Sequence, residues 1–226
     1  MKLSHLSAFS RVVINQIRFT GSQALPLISL IALLLGGGTI IQAVTFLPRV
    51  GREDFLGNLL KLVIVRELGP LITAIIVLTR SGSAIASELA TQKLHREIEA
   101  LELMGINTHM LMVLPRVIAG FVAVNILVVY FDFIAFVGGY AIAYMVSAFP
   151  FESFLENLIR SLSMEDLLSS LSKATILGIS IPLLCSFYGL KPETLFEIPI
   201  FVSRAVVRSL IVVFSANALL SVIFYL

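Results

Sequence analysis

Five times along its 226 residues the chain runs apolar for about the length of a bilayer crossing, and this recurrence limits the possible folds more than any motif. Hydrocarbon offers no water to backbone N–H and C=O groups, so an apolar run of about 20 residues has to satisfy them within itself, as a helix. The expected crossings are 25–47, 62–90, 110–147, 167–190 and 201–226. Charged residues make up only 13% of the chain, against roughly 25% in soluble domains, which excludes a water-soluble core. The fold class is therefore an all-α, multi-pass membrane protein with a single domain over 1–226.

Residues 1–22 spread Lys2, Arg11 and Arg18 among Leu3, Leu6, Phe9, Val13 and Ile17, spaced by three and four. That pattern predicts a helix lying in the interface, apolar side down, and not a cleavable leader. Gly36-Gly37-Gly38 interrupts the first crossing, either as a bend or as a place where another helix comes close. The third block is too long for one perpendicular crossing, and one long helix is preferred to two short ones joined at Gly138-Gly139. With a cytoplasmic N-terminus, eight cations fall on inner segments and six on outer ones, a slight bias by the positive-inside rule. Residues 149–166 then form an outer connection, helical through Phe154, Leu158 and Leu162. The lone Cys185 is lipid-facing or packing filler.

Between the second and third crossings, 91–105 reads as one charged amphipathic helix. Leu94, Ile98, Leu101 and Met104 make an apolar stripe, with Lys93, His95, Arg96, Glu97, Glu99 and Glu102 around it, and Gly105-Ile106-Asn107 provides a stop. A ridge of this kind suits a groove on a partner, although an ordinary loop helix would have the same period.

Ionisable groups inside crossings are expensive and face a cavity or a partner. Arg66 and Glu67 open the second crossing, and Lys173 lies about two turns into the fourth. One reading has Arg66 and Lys173 attracting a lipid phosphate while Glu67 orients one of them or the headgroup amine; the other has Arg66 snorkelling and Glu67 capping a helix. Thr39, Phe46, Leu47 and Val50 are candidates to line a cavity at the level of Arg66, or else to face lipid. Arg80 or Arg116 is expected to pair with Glu88 or Asp132, and Gly82, Ala86 and Ala90 to permit close helix contact. The three histidines all fall outside the crossings, and no nucleotide-binding Gly-rich loop occurs. An enzyme within this chain is therefore not expected. No basic run suggests nucleic acid, and the unequal crossings lack the inverted repeats typical of a secondary transporter.

The ordered segments Arg66-Glu67-Leu68-Gly69-Pro70, Arg80 to Leu89, Glu97 to Gly105 and Pro115-Arg116 resemble the MlaE/YrbE permeases of MCE-associated ABC lipid transporters. The resemblance implies a homodimeric permease in a bacterial inner membrane, or a plastid one, carrying phospholipid. It further implies a separate ATPase that holds the ATP, an MCE-domain protein and a possible accessory subunit, with no cofactor in this chain. It assigns ATPase contact to the matching segment: Lys93, Leu94, Arg96, Glu97, Ile98, Leu101, Glu102 and Met104. An ion-coupled carrier and a non-transporting scaffold are the competing classes.

Overall fold

The computed structural model describes residues 2–50, 55–105, 107–147 and 150–225, with side chains over 12–43, 58–105, 107–146 and 150–224. All regular structure among the described residues is helical: α1 (Lys2–Ser22), α2 (Leu25–Val50), α3 (Phe55–Leu60), α4 (Gly69–Val77), α5 (Ser83–Leu94), α6 (Glu97–Leu103), α7 (Leu114–Ser147), α8 (Phe151–Ser161), α9 (Met164–Gly189) and α10 (Ile198–Tyr225). Three π-helical stretches, Lys61–Leu68, Leu78–Gly82 and His109–Val113, run directly into the following α-helices, and a single 3₁₀ turn precedes α10.

Five stretches are long and apolar enough to cross a membrane: Val12–Ala43, Asn58–Leu94, His109–Val146, Met164–Gly189 and Leu195–Phe224. The first begins earlier than the expected 25–47 because the later part of α1 is itself apolar. A turn at Gln23-Ala24, closed by Ala24 N–H on the Gly21 carbonyl at 3.1 Å, separates α1 from α2. The third block is one helix of 34 residues, α7. The connection after it holds the expected helix, α8, with Phe154 and Leu158 buried, but the helix ends at Ser161 and leaves Leu162 in extended backbone.

The chain divides into two compact units, one of residues 1–24, 74–125 and 175–216, the other of 25–73, 126–174 and 217–226. In the second, α2 and α7 touch backbone to backbone. A Cβ on Gly36 would fall on the Ala135 carbonyl, and one on Gly138 would come within 2.7 Å of the Leu33 carbonyl oxygen. The glycine triplet therefore does not break α2; it admits a neighbour. Ser29 and Tyr130 hydroxyls meet at 2.7 Å in the same unit.

In the first unit, the π stretch ending at Gly82 and α5 approach α9 through Gly82, Ala86 and Gly189, a Cβ on Gly189 lying 2.7 Å from the Ala86 carbonyl oxygen. The expected contact at Gly82 and Ala86 thus forms. Cys185 is fully buried beside Gly82, which makes it packing filler. Pro182 lies inside α9 and has no N–H, so the Gly178 carbonyl four residues earlier loses its helical donor. Gly120 of α7 packs against that carbonyl, where a Cβ would stand 2.6 Å from the oxygen.

Candidate functional site

The charged residues at the start of the second crossing meet those of α9 in one network. From Lys61 to Leu68 the backbone is wound in the wider π register, and the Gly69 N–H accordingly reaches back to Ile64 C=O. Pro70 follows, and its missing N–H leaves the Arg66 carbonyl without an α-helical donor. Lys173 fills that place: its Nζ donates to Arg66 O at 2.6 Å, to Glu67 Oε1 at 3.1 Å and to Ser221 Oγ at 2.6 Å. The lysine side chain is completely buried, whereas Glu67 is 38% exposed. Glu67 is also held by Asn217 Nδ2 at 2.9 Å and Ser221 Oγ at 2.7 Å.

Arg66 turns its guanidinium the other way, onto Asp166. Nε and Nη2 both approach Oδ1 at 2.6 Å. The other oxygen of Asp166 accepts from Ser163 N–H at 3.0 Å and Ser163 Oγ at 2.6 Å, with Lys61 Nζ 3.5 Å away. Ser163 and Asp166 thus cap α9, and the capping carboxylate doubles as the counter-ion of Arg66. Asp166 closes the expected outer connection 149–166, and the Ser163-x-x-Asp166 spacing is the sequence signal for its cap.

Of the proposed cavity residues, Thr39 is buried in α2 with its hydroxyl on the Leu35 carbonyl at 2.7 Å. The side chains of Phe46, Leu47 and Val50 lie outside the described residues. Asp132 was the alternative partner to Glu88 for Arg80 or Arg116, and among the described residues no ion pair reaches it. Its Oδ1 has no hydrogen-bond partner and rests against Gly69, where a Cβ would stand 2.5 Å away. Arg116 does form the expected pair with Glu88 at 3.1 Å, and also donates to Met112 O at 2.9 Å. Arg80 instead donates to Gln23 Oε1 at 2.7 Å.

The segment between the second and third crossings differs from the single helix expected over 91–105. α5 ends at Leu94, and Arg96 takes a left-handed conformation (φ 59°) before α6 begins at Glu97. With no glycine or asparagine at that position, nothing in the local sequence announced the break. Gly105 stops α6 at φ 75°, as expected. Asn107 Oδ1 then accepts the N–H groups of His109 and Met110, starting the next helical stretch.

The break turns the predicted stripe. Ile98 now lines an open pocket of about 250 Å³ with Glu99, Glu102, Thr108 and Met112, where Thr108 Oγ1 donates to Glu102 Oε1 at 3.0 Å. Leu94 and Leu101 are half-buried, and the large apolar groups left outside are Leu103 and Met104, 89% and 66% exposed. Lys93 is half-buried, its Nζ 3.4 Å from the Lys191 carbonyl, while Arg96, Glu97 and Glu102 are exposed.

Five apolar crossings, a buried ionic network and an exposed helix-turn-helix link define a polytopic, all-helical membrane protein. The chain belongs to the family described as Permease MlaE, whose sequence pattern it matches over residues 13–223. It is 30% identical to a probable ABC transporter permease protein of Rickettsia typhi, over 79% of this chain and 69% of that one. Identity is 27% to the intermembrane phospholipid transport system permease protein MlaE of Haemophilus influenzae, over 95% of this chain and 83% of that one. It is also 27% to the chloroplastic protein TRIGALACTOSYLDIACYLGLYCEROL 1 of Arabidopsis thaliana, over 95% of this chain and 62% of that one.

Proposed function

We propose that this chain is the permease subunit of an ABC-type phospholipid transporter, working as a homodimer in a bacterial inner membrane. A separate ATPase supplies ATP hydrolysis, and an MCE-domain protein, with a possible accessory subunit, completes the assembly. The observation that carries this reading, beside family membership, is the link over Lys93 to Met104. A membrane protein that leaves Leu103 and Met104 outside, on a short helix fringed by Arg96, Glu97 and Glu102, presents an apolar tip with a charged collar. That is chemistry suited to a protein groove, and the ATPase is its occupant here.

The ionic network is the cargo-facing part of the proposal. Lys173 is fully buried and its role is to hold Glu67 and the Arg66 carbonyl in place. The groups within reach of a headgroup are Glu67, 38% exposed, and the guanidinium of Arg66, 23% exposed. Arg66 then meets the phosphate and Glu67 a headgroup amine. Thr39 and the neighbouring turn of α2 line the space for acyl chains.

Co-expression and purification with the ATPase and MCE protein, followed by ATP turnover and lipid transfer in reconstituted vesicles, tests the whole. Turnover that rises with lipid and the MCE partner, and falls when Leu103 and Met104 are both changed to aspartate, is the expected result. Lipid movement driven by an ion gradient without nucleotide would replace the reading with a secondary carrier. Glu67→Lys should abolish transfer while leaving dimer assembly intact, and unimpaired transfer would remove Glu67 from the cargo path.

A further inference from the structure

α8 carries one continuous apolar face and uses only half of it inside the protein. At 3.6 residues per turn, Phe151, Phe154, Leu155, Leu158 and Ile159 fall within an arc of about 140°, and polar side chains fill the rest. Phe154 and Leu158 are 5% and 7% exposed, buried alongside Tyr140, whose ring centroid lies 5.4 Å from that of Phe154. Phe151, Leu155 and Ile159, one turn apart along the other edge of the same face, are 54%, 41% and 65% exposed.

We propose that α8 is seated in the membrane interface, with the Phe151, Leu155 and Ile159 edge among acyl chains and Glu152, Glu156 and Arg160 toward water. Chain length selects the bilayer as the occupant. Only residues 148–150 separate α8 from α7, and only Leu162 and Ser163 separate it from α9. At about 3.5 Å per residue, its ends stay within about 14 Å and 10 Å of the ends of two crossing helices. The exposed apolar edge also continues onto Tyr144 and Met145 at the end of α7 and Met164 and Leu168 at the start of α9. These residues flank or belong to the crossings, so the bilayer surface is continuous beneath all three helices.

The polar arc narrows the lipid chemistry. Interfacial helices commonly use lysine and arginine to attract anionic headgroups, but the one cation of α8, Arg160, is paired with Glu156 at 2.6 Å, and Glu152 adds negative charge. The seat of α8 rests on apolar area alone and suits a zwitterionic surface. Its depth is insensitive to anionic lipid and to salt.

Single cysteines at Leu155 and Ile159 of the full chain, labelled with an environment-sensitive fluorophore and reconstituted in phosphatidylcholine vesicles, test this seat. Labelling of the parent protein, whose buried Cys185 remains, sets the background. Glu156→Cys serves as the water-facing reference and Phe133→Cys, in the third crossing, as the lipid-facing one. Lipid brominated near the glycerol end should quench the 155 and 159 probes at least about twofold more than aqueous iodide does, with the reverse at 156. Iodide access at 155 and 159 equal to that at 156 would overturn the proposal. So would protection from both quenchers, since protein would then cover the edge. Replacing a third or so of the lipid by phosphatidylglycerol should leave the ratios unchanged, and deeper quenching would overturn the zwitterionic seat.

Discussion

Replacing Lys173 by methionine keeps most of the side-chain volume and removes the hydrogen bonds to Arg66 O, Glu67 Oε1 and Ser221 Oγ. Removing one member of a buried ion pair costs about 3–5 kcal/mol. Glu67 is 38% exposed and keeps Asn217 and Ser221 as donors, so the low end, about 3 kcal/mol, is expected. Pro70 cannot supply the Arg66 carbonyl with an N–H in its place, and the lost Lys173 bond to that carbonyl accounts for about 1–3 kcal/mol of the loss. Pro70→Ala restores that donor. In a double-mutant cycle, Pro70→Ala should therefore be more favourable by about 1 kcal/mol or more in the Lys173→Met background than in the native one. The single, buried Cys185 supplies the assay: its reaction with a fluorogenic thiol reagent on heating in mild detergent reports unfolding. If the two changes add to within about 0.5 kcal/mol, the lysine is not the surrogate donor for Arg66, and the account of Pro70 fails.

Gly36→Ala and Gly38→Ala should act in opposite directions. The first drives a methyl into the Ala135 backbone and lowers the unfolding temperature, while the second, with open space around it, gains about 1 kcal/mol of helix propensity. Arg116 is buried and Glu88 is 53% exposed, so Glu88→Ala, which strands a buried charge, should cost about 2–3 kcal/mol. Arg116→Met should stay within about 1 kcal/mol of the native protein, and the order of the two thermal midpoints checks this. Arg96→Gly should preserve or raise the yield of complex with the ATPase, whereas Arg96→Val, which resists the left-handed conformation by about 1–2 kcal/mol, should lower it.

The crossings were legible because hydrocarbon imposes a long apolar run on any helix that spans it, and the unbroken 34 residues of α7 followed because Gly138-Gly139 is too short a join for two crossings. The close helix contacts were legible for a similar reason, since Gly82 and Ala86 recur one turn apart on a single face. Charge partners were harder. Arg116 found Glu88, but among the described residues no cation pairs with Asp132, whose carboxylate is set against Gly69, and periodicity does not report which neighbour shares a face. The π register of Lys61–Leu68 and the left-handed turn at Arg96 had no local signature, as both arise from packing and not from a residue that prefers them. Lys173 reaching a backbone carbonyl could have been anticipated from Pro70, by asking where the unpaired acceptor would turn.

Asp166 concentrates several dependencies in one carboxylate. Mutants of Lys61, Arg66 and Ser163 each remove part of its contacts, and Asp166→Ala removes them all at once. Epistasis follows directly: once the aspartate is gone, further loss at any of the three should add little, and rescue of one alone cannot restore the others. A genetic map of this region would show these positions as a single locus, although they come from two stretches of the chain a hundred residues apart.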